Sequence, residues 1–125
     1  MTVDKVVDAS ALAAIAFVED RAQQMERRLR GSRLFAPALL RFEMAHVCVK
    51  KIRQRPAETN LIVAQLQASL RIDILTPDID PVEVVALAEQ HALTAYDASY
   101  LWLAFKLGVE LVSGDKKLVE AALRP

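Results

Sequence analysis

Apolar and polar positions fall into blocks whose lengths and periods give the elements. An apolar run begins at Val3, is interrupted at Asp4 and Lys5, reaches Val6-Val7 and stops at Asp8. It passes straight into the Ala-rich stretch 9–18. A short apolar run, one acid and then strong helix formers is how the first strand-to-helix turn of a parallel α/β domain reads. Glu19-Asp20 opens a second helical run to Arg30, stopped by Gly31-Ser32. Residues 33–36 form a strand candidate ending at Pro37. Proline suits the first turn of a helix, so a long helix is predicted over 38–53. Pro56 marks a break before another helix to Leu70, the two making an antiparallel hairpin. Residues 72–75 predict a third strand, closed by Thr76-Pro77-Asp78. Asp80-Pro81 caps and starts a helix through Gln90, and Thr94 caps another over 95–107, ended by Gly108. Residues 109–112 are the last strand, and Ser113-Gly114-Asp115 turns into a final helix ending near Leu123. Short strands alternating with about seven helices predict an α/β fold: a small parallel sheet of four to five strands, covered on both faces.

Composition narrows this picture. The 125 residues suit one domain, 1–125, with a real core. The hydrophobic share of 54% exceeds that of an ordinary soluble domain, so the excess belongs in a helix-rich core or a subunit interface. Sixteen basic side chains balance sixteen acidic ones, so only local clustering could attract nucleic acid. The one cysteine, Cys48, excludes an internal disulfide and suits a reducing compartment; between Val47 and Val49 it reads as a small core residue. Stretch 9–18 lacks a basic leader, has acids at Asp4 and Asp8, and is too short to span a bilayer. A soluble cytoplasmic protein with no membrane segment is expected.

Four acids carry the candidate chemistry. Asp8 ends an apolar strand, and ligands of open α/β sheets collect at such ends. Taken alone Asp8, or Ser10, reads better as a plain N-cap. Glu43 shares a helical stripe with Leu39, Leu40 and Val47, and an ionised carboxylate there costs several kcal/mol unless paired or bound to a cation. Its structural alternative is an internal ion pair with Arg41 or a distant arginine. Asp97, three residues after Thr94, could be an acid favoured by the helix dipole, and Asp115 another N-cap. Together, however, all four can reach one rim of one sheet. Clustered carboxylates repel one another and call for a cation, and oxygen-only ligands select a hard ion, Mg²⁺ or Mn²⁺.

The segments that carry these acids are Val6-Val7-Asp8-Ala9-Ser10-Ala11-Leu12, Pro37-Ala38-Leu39-Leu40-Arg41-Phe42-Glu43, Leu93-Thr94-Ala95-Tyr96-Asp97-Ala98-Ser99-Tyr100 and Leu111-Val112-Ser113-Gly114-Asp115-Lys116-Lys117-Leu118. In order and spacing they resemble the four motifs of PIN domains, most closely the small VapC-type toxins of prokaryotic toxin–antitoxin pairs. The resemblance covers the whole chain. It implies a three-layer α/β/α fold and a metal-dependent endoribonuclease with Asp8, Glu43, Asp97 and Asp115 around Mg²⁺ (or Mn²⁺). Asp8 and Asp97 are expected to be the nearest ligands. Ser113 matches the family's hydroxyl residue beside the last acid and is expected to hydrogen-bond a ligand; its alternative is a turn residue. Ser10 matches as well, with a structural role equally open. Gly114 departs from the family's usual small polar residue or Ala. The resemblance further implies cleavage leaving a 5′-phosphate and a 3′-hydroxyl, a homodimer, and a small antitoxin whose tail covers the acids.

The remaining polar residues add little. Arg27, Arg28, Arg30 and Arg33, and again Lys50, Lys51, Arg53 and Arg55, read mainly as solvated helix faces. Lys116 is the best-placed phosphate contact for an RNA substrate. Trp102 and Phe105 have core spacing, with a dimer surface as the alternative. Leu61, Ile62 and Leu66 would suit a partner groove. His46 and His91 have no metal-ligand spacing and read as structural. A receiver-type phospho-acceptor would need an acidic pair after the first strand and a lone Asp ending a middle strand. A haloacid-dehalogenase-like phosphatase would need Asp-x-Asp where Asp8-Ala9-Ser10 stands. Neither pattern is present. A catalytically silent PIN-like scaffold stays open as an alternative.

Overall fold

Val6, Val7, Leu111 and Val112 are almost fully buried, and they sit on the two strands that pair at the centre of the molecule. The computed structural model describes residues 2–125. Its elements run β1 (Val3–Val7), α1 (Ala9–Ala16), α2 (Ala22–Leu29), β2 (Ser32–Phe35), α3 (Leu40–Gln54), a single 3-10 turn (Pro56–Glu58), α4 (Thr59–Ser69), β3 (Ile74–Leu75), α5 (Pro81–His91), α6 (Ala95–Leu107), β4 (Glu110–Val112) and α7 (Lys116–Ala122). The four strands form one sheet in the order β3-β2-β1-β4, every pair parallel. Helices packed against the sheet give the predicted three-layer α/β architecture. On one hand α1 packs on α2, α3 and α4; on the other, α6 packs on β1, α5 and α7.

The chain builds outward from β1 to β2 and β3, then returns to place β4 on β1's other side. That reversal opens a crevice beyond the carboxyl ends of β1 and β4, the usual ligand position of an open α/β sheet. Val6 pairs with Leu111 and Val7 with Val112, so Asp8 and Ser113 leave the sheet side by side. The Asp8 amide donates to the Val112 carbonyl at 3.2 Å.

Several boundaries move from their expected places, each for a physical reason. The third strand shrinks to two residues because β3 is an edge whose only neighbour is β2. The long central helix starts at Leu40, since Pro37 is packed into the core and 38–39 form a turn. The helix from Pro56 opens as a 3-10 turn before α4 takes over. After α1, Val18 adopts φ +52°, which breaks the first helix from the second and delays α2 to Ala22. Ile62 proves to be core and Leu66 half-buried, leaving Leu61 exposed from the trio expected to line a groove. No helix among the described residues is long and apolar enough to cross a membrane.

Candidate functional site

Asp8 is 5% exposed, and every contact it makes is a neutral donor. Its Oδ1 accepts the Ala11 amide at 3.0 Å, which caps α1, and the Ser10 hydroxyl at 2.7 Å; its Oδ2 accepts the Ser113 hydroxyl at 2.5 Å. Ser113 is itself buried, and its Oγ also accepts the Asp115 amide at 2.9 Å. Ser10 accepts the Gly114 amide at 2.8 Å. The two serines thus knit the β1–α1 turn to the β4–α7 turn around one carboxylate. Asp115, exposed, caps α7 through the Lys117 and Leu118 amides at 2.9 and 3.3 Å.

The other two acids come from helices. Glu43 lies in the first turn of α3, beside the buried line Leu40, Met44 and Cys48, and is half-buried. The alternative reading of Glu43, an ion pair with Arg41 or a distant arginine, finds no counterpart among the described residues. Instead the Tyr100 hydroxyl donates to Glu43 Oε1 at 2.5 Å. Asp97 sits in the first turn of α6, its amide capped by Thr94 Oγ1 at 3.1 Å. None of the four acids makes a salt bridge among the described residues.

Electrostatics ties the four into a ring. Asp8 feels the charge of Asp115, Asp115 acts on Asp97, and Glu43 feels both Asp97 and Asp8. Burial holds the Asp8, Glu43 and Asp97 carboxyls above their ordinary values, and the neighbouring charges push the same way. Hydrogen bonds from Ser113, Ala11 and Ser10 to Asp8, and from Tyr100 to Glu43, pull back without cancelling the shift. Lys117 eases Asp97 in part; its ammonium donates to the Ala92 carbonyl at 2.6 Å. Mutually repelling, oxygen-only donors outside any salt bridge are the donor chemistry of a hard divalent cation. Among the described residues no three acidic, His or Cys side chains converge closely enough to ligate one ion, so the carboxylates would have to close on it.

The fold therefore couples all four expected acids through their charges, with Ser10 and Ser113 bonded to Asp8. Lys116 lies exposed beside Asp115, although Lys117 is the cation Asp97 feels. The basic clusters are partly spent on acids elsewhere: Arg28 on Glu110, Arg30 on Glu26, Arg33 on Asp4, Lys51 on Glu19 and Arg55 on Glu58. Trp102 is half-buried, its indole donating to Glu83 at 2.8 Å across the α5–α6 seam. Two residues at the site escaped the sequence. Tyr100 follows Asp97 by three positions and so shares its helix face, a signal hidden by its resemblance to core spacing. Arg21 reaches from the α1–α2 loop to the Gly114 carbonyl at 2.9 Å, and nothing in its local sequence marks it.

Comparison with known proteins agrees with this fold. The PIN domain family model matches residues 5–123. Ribonuclease VapC3 of Pyrobaculum aerophilum is 33% identical over 122 residues, 92% of each chain. The crystal structure of PAE2754 from Pyrobaculum aerophilum superposes with a TM-score of 0.76 at 30% identity, over 97% of this chain and 87% of that one. Mycobacterium tuberculosis VapC20, described as a sarcin-ricin-loop-cleaving toxin, shares the fold with a TM-score of 0.64 at 17% identity, over 97% and 99%.

Proposed function

The chain belongs to the PIN domain family, and on that premise we propose that it is a divalent-metal-dependent endoribonuclease, the toxin of a toxin–antitoxin pair. The observation that carries the reading is the set of four carboxylates coupled in charge around the β1/β4 turns, none of them in a salt bridge among the described residues. The ribonuclease relative, aligned over nearly the whole chain, supports it.

Asp8, Asp97, Glu43 and Asp115 would hold Mg²⁺ or Mn²⁺. Bound there, the ion neutralises phosphate charge and lowers the pKa of a water. The chain's own residues do the rest. Ser10 and Ser113 fix Asp8 through uncharged bonds, so its negative charge stays available to a cation. Lys116, free at the amino end of α7, would meet a backbone phosphate of the RNA. The fragments would carry a 5′-phosphate and a 3′-hydroxyl. The partners proposed are a second copy of the chain and a small antitoxin, which could quench the carboxylates with an arginine. The setting proposed is the cytoplasm.

The test is incubation of the purified protein with structured RNAs, with and without Mg²⁺ or Mn²⁺, followed by analysis of the fragment ends. Metal-dependent cutting that disappears in Asp8→Asn is expected. Cutting that persists both in that variant and in EDTA would overturn the mechanism. Calorimetric titration with Mn²⁺ separates the nuclease from a silent scaffold, which would bind none.

A further inference from the structure

Tyr100 is 1% exposed, its ring packed in the core, and its hydroxyl ends on Glu43 Oε1 at 2.5 Å. The two residues lie 57 positions apart on different helices. Among the described residues no other side chain hydrogen-bonds the Glu43 carboxylate. A half-buried carboxylate held by one neutral donor is an unusual economy, because an arginine there would satisfy Glu43 more strongly. It would also cancel the charge and compete with a cation. A phenol holds the carboxylate and leaves its charge intact. Ser10 and Ser113 treat Asp8 in the same way, which makes uncharged hydroxyl holders a repeated feature of this crevice. Tyr100 adds a mechanical link as well: it stands one turn after Asp97 on α6, so one helix supplies an acid and also the group that orients another acid on α3.

We propose that Tyr100 is a positioning residue for the metal site: its hydroxyl occupies Oε1 of Glu43 and holds the carboxylate so that Oε2 is left to the cation. This inference rests on the nuclease reading above. Outer-shell hydrogen bonds to metal ligands are generally worth tenfold to a hundredfold in metal affinity. A core residue whose hydroxyl merely found an acceptor would contribute only to stability.

The experiment compares the intact protein with Tyr100→Phe, reading free Mn²⁺ by electron paramagnetic resonance in the absence of RNA. Folding is checked by circular dichroism. The expected result is a folded variant that binds Mn²⁺ about tenfold more weakly. In RNA cleavage, the Mn²⁺ concentration for half-maximal rate should rise by a similar factor, while the rate at saturating Mn²⁺ stays near that of the parent. In a Glu43→Gln background, Tyr100→Phe should have little further effect on affinity, because the hydroxyl's target no longer carries the charge it orients. A folded Tyr100→Phe protein with parental Mn²⁺ affinity, or an effect of equal size in the Glu43→Gln background, overturns the proposal and leaves the nuclease reading standing. A parent protein that binds no Mn²⁺ overturns both. Should Tyr100→Phe fail to fold, 3-fluorotyrosine at position 100 keeps the ring's shape and changes the hydroxyl's acidity. A shifted Mn²⁺ affinity then supports the proposal, and an unchanged one rejects it.

Discussion

The acid ring has two halves built on different principles. Asp8 and Asp115 stand at strand ends and are N-caps, so each is also part of the backbone's hydrogen-bond accounting. Glu43 and Asp97 stand within first helical turns and cap nothing with their side chains; Leu39 and Thr94 hold the cap positions. The strand-end half is therefore over-determined: folding alone would keep its carboxylates where they are. In the helix half, Glu43 is held by Tyr100, and Asp97 by Thr94, its dipole position and Lys117. The fold supplies one side of the crevice at no extra cost. The other side places charge where folding gains least from it.

The largest effects should come from Asp8, where structure and proposed chemistry coincide. Asp8→Ala removes a cap and the shared acceptor of the Ser10 and Ser113 hydroxyls, so it should cost about 1–3 kcal/mol in urea denaturation and abolish cleavage. Asp8→Asn keeps a good capping residue and should lose cleavage while retaining most of that stability. If Asp8→Asn is as unstable as Asp8→Ala, the capping account of this half is wrong.

Glu43→Gln is the contrasting case. It keeps an oxygen for Tyr100 and removes a half-buried charge that two neighbours repel. Cleavage should fall sharply, yet the metal-free protein should be no less stable, gaining up to about 1 kcal/mol. A loss of stability above that size would erase the distinction between the two halves.

Acidification divides the molecule along a related line. Asp8, Glu43 and Asp97 are raised in the folded state, so the native protein binds more protons than the unfolded chain at pH values between their ordinary and folded values. Stability then falls as pH rises through that window, and the penalty is fully present above it. Asp4, Glu26 and Glu110 behave oppositely: hydrogen bonds from Arg33, Arg30 and Arg28 lower them, and the stability they contribute is lost as pH falls below about 4. The melting temperature of metal-free protein should therefore rise as pH falls toward the ordinary carboxylate range and drop below about 4. Saturating Mg²⁺ or Glu43→Gln should flatten the upper limb. A melting temperature that climbs steadily as pH rises from the ordinary carboxylate range to neutrality without metal would contradict the ring of repulsion.

What the sequence revealed follows the same division. Asp8 and Asp115 were legible because strand-then-acid-then-helix is a local pattern, and Glu43 because an acid interrupts an apolar stripe. Their meeting was legible only through the ordered resemblance to a family, since strand order is a long-range property. Tyr100 was not legible as a holder of Glu43: its acceptor is 57 positions away, and an aromatic at core spacing looks like any other. The surface arginines looked like clusters because their partners, Asp4 and Glu110, come from other strands. The alternative for Glu43, an ion pair with an arginine, is not what the fold uses, as a phenol occupies the carboxylate instead.

Gly114 offers the finest adjustment of the strand-end half. Its φ needs no glycine, but a Cβ there would come 3.3 Å from an Arg21 guanidinium nitrogen and 3.4 Å from Ser10 Oγ. Glycine thus makes room for the hydroxyl that holds Asp8 and for the arginine that caps its own carbonyl. The arginine end is flexible and exposed and can retreat; Ser10 Oγ is bonded to Asp8 and to the Gly114 amide and can yield only by loosening one of them. Gly114→Ala should therefore cost under about 1 kcal/mol and slow cleavage modestly, well short of Asp8→Asn. Arg21→Ala should cost no more in stability, since the bond it removes is solvent-exposed. Combined with Arg21→Ala, which clears the nearer obstacle, Gly114→Ala should still slow cleavage if Ser10 is the group displaced. Full recovery in the double variant would move the sensitivity from the serine to the arginine.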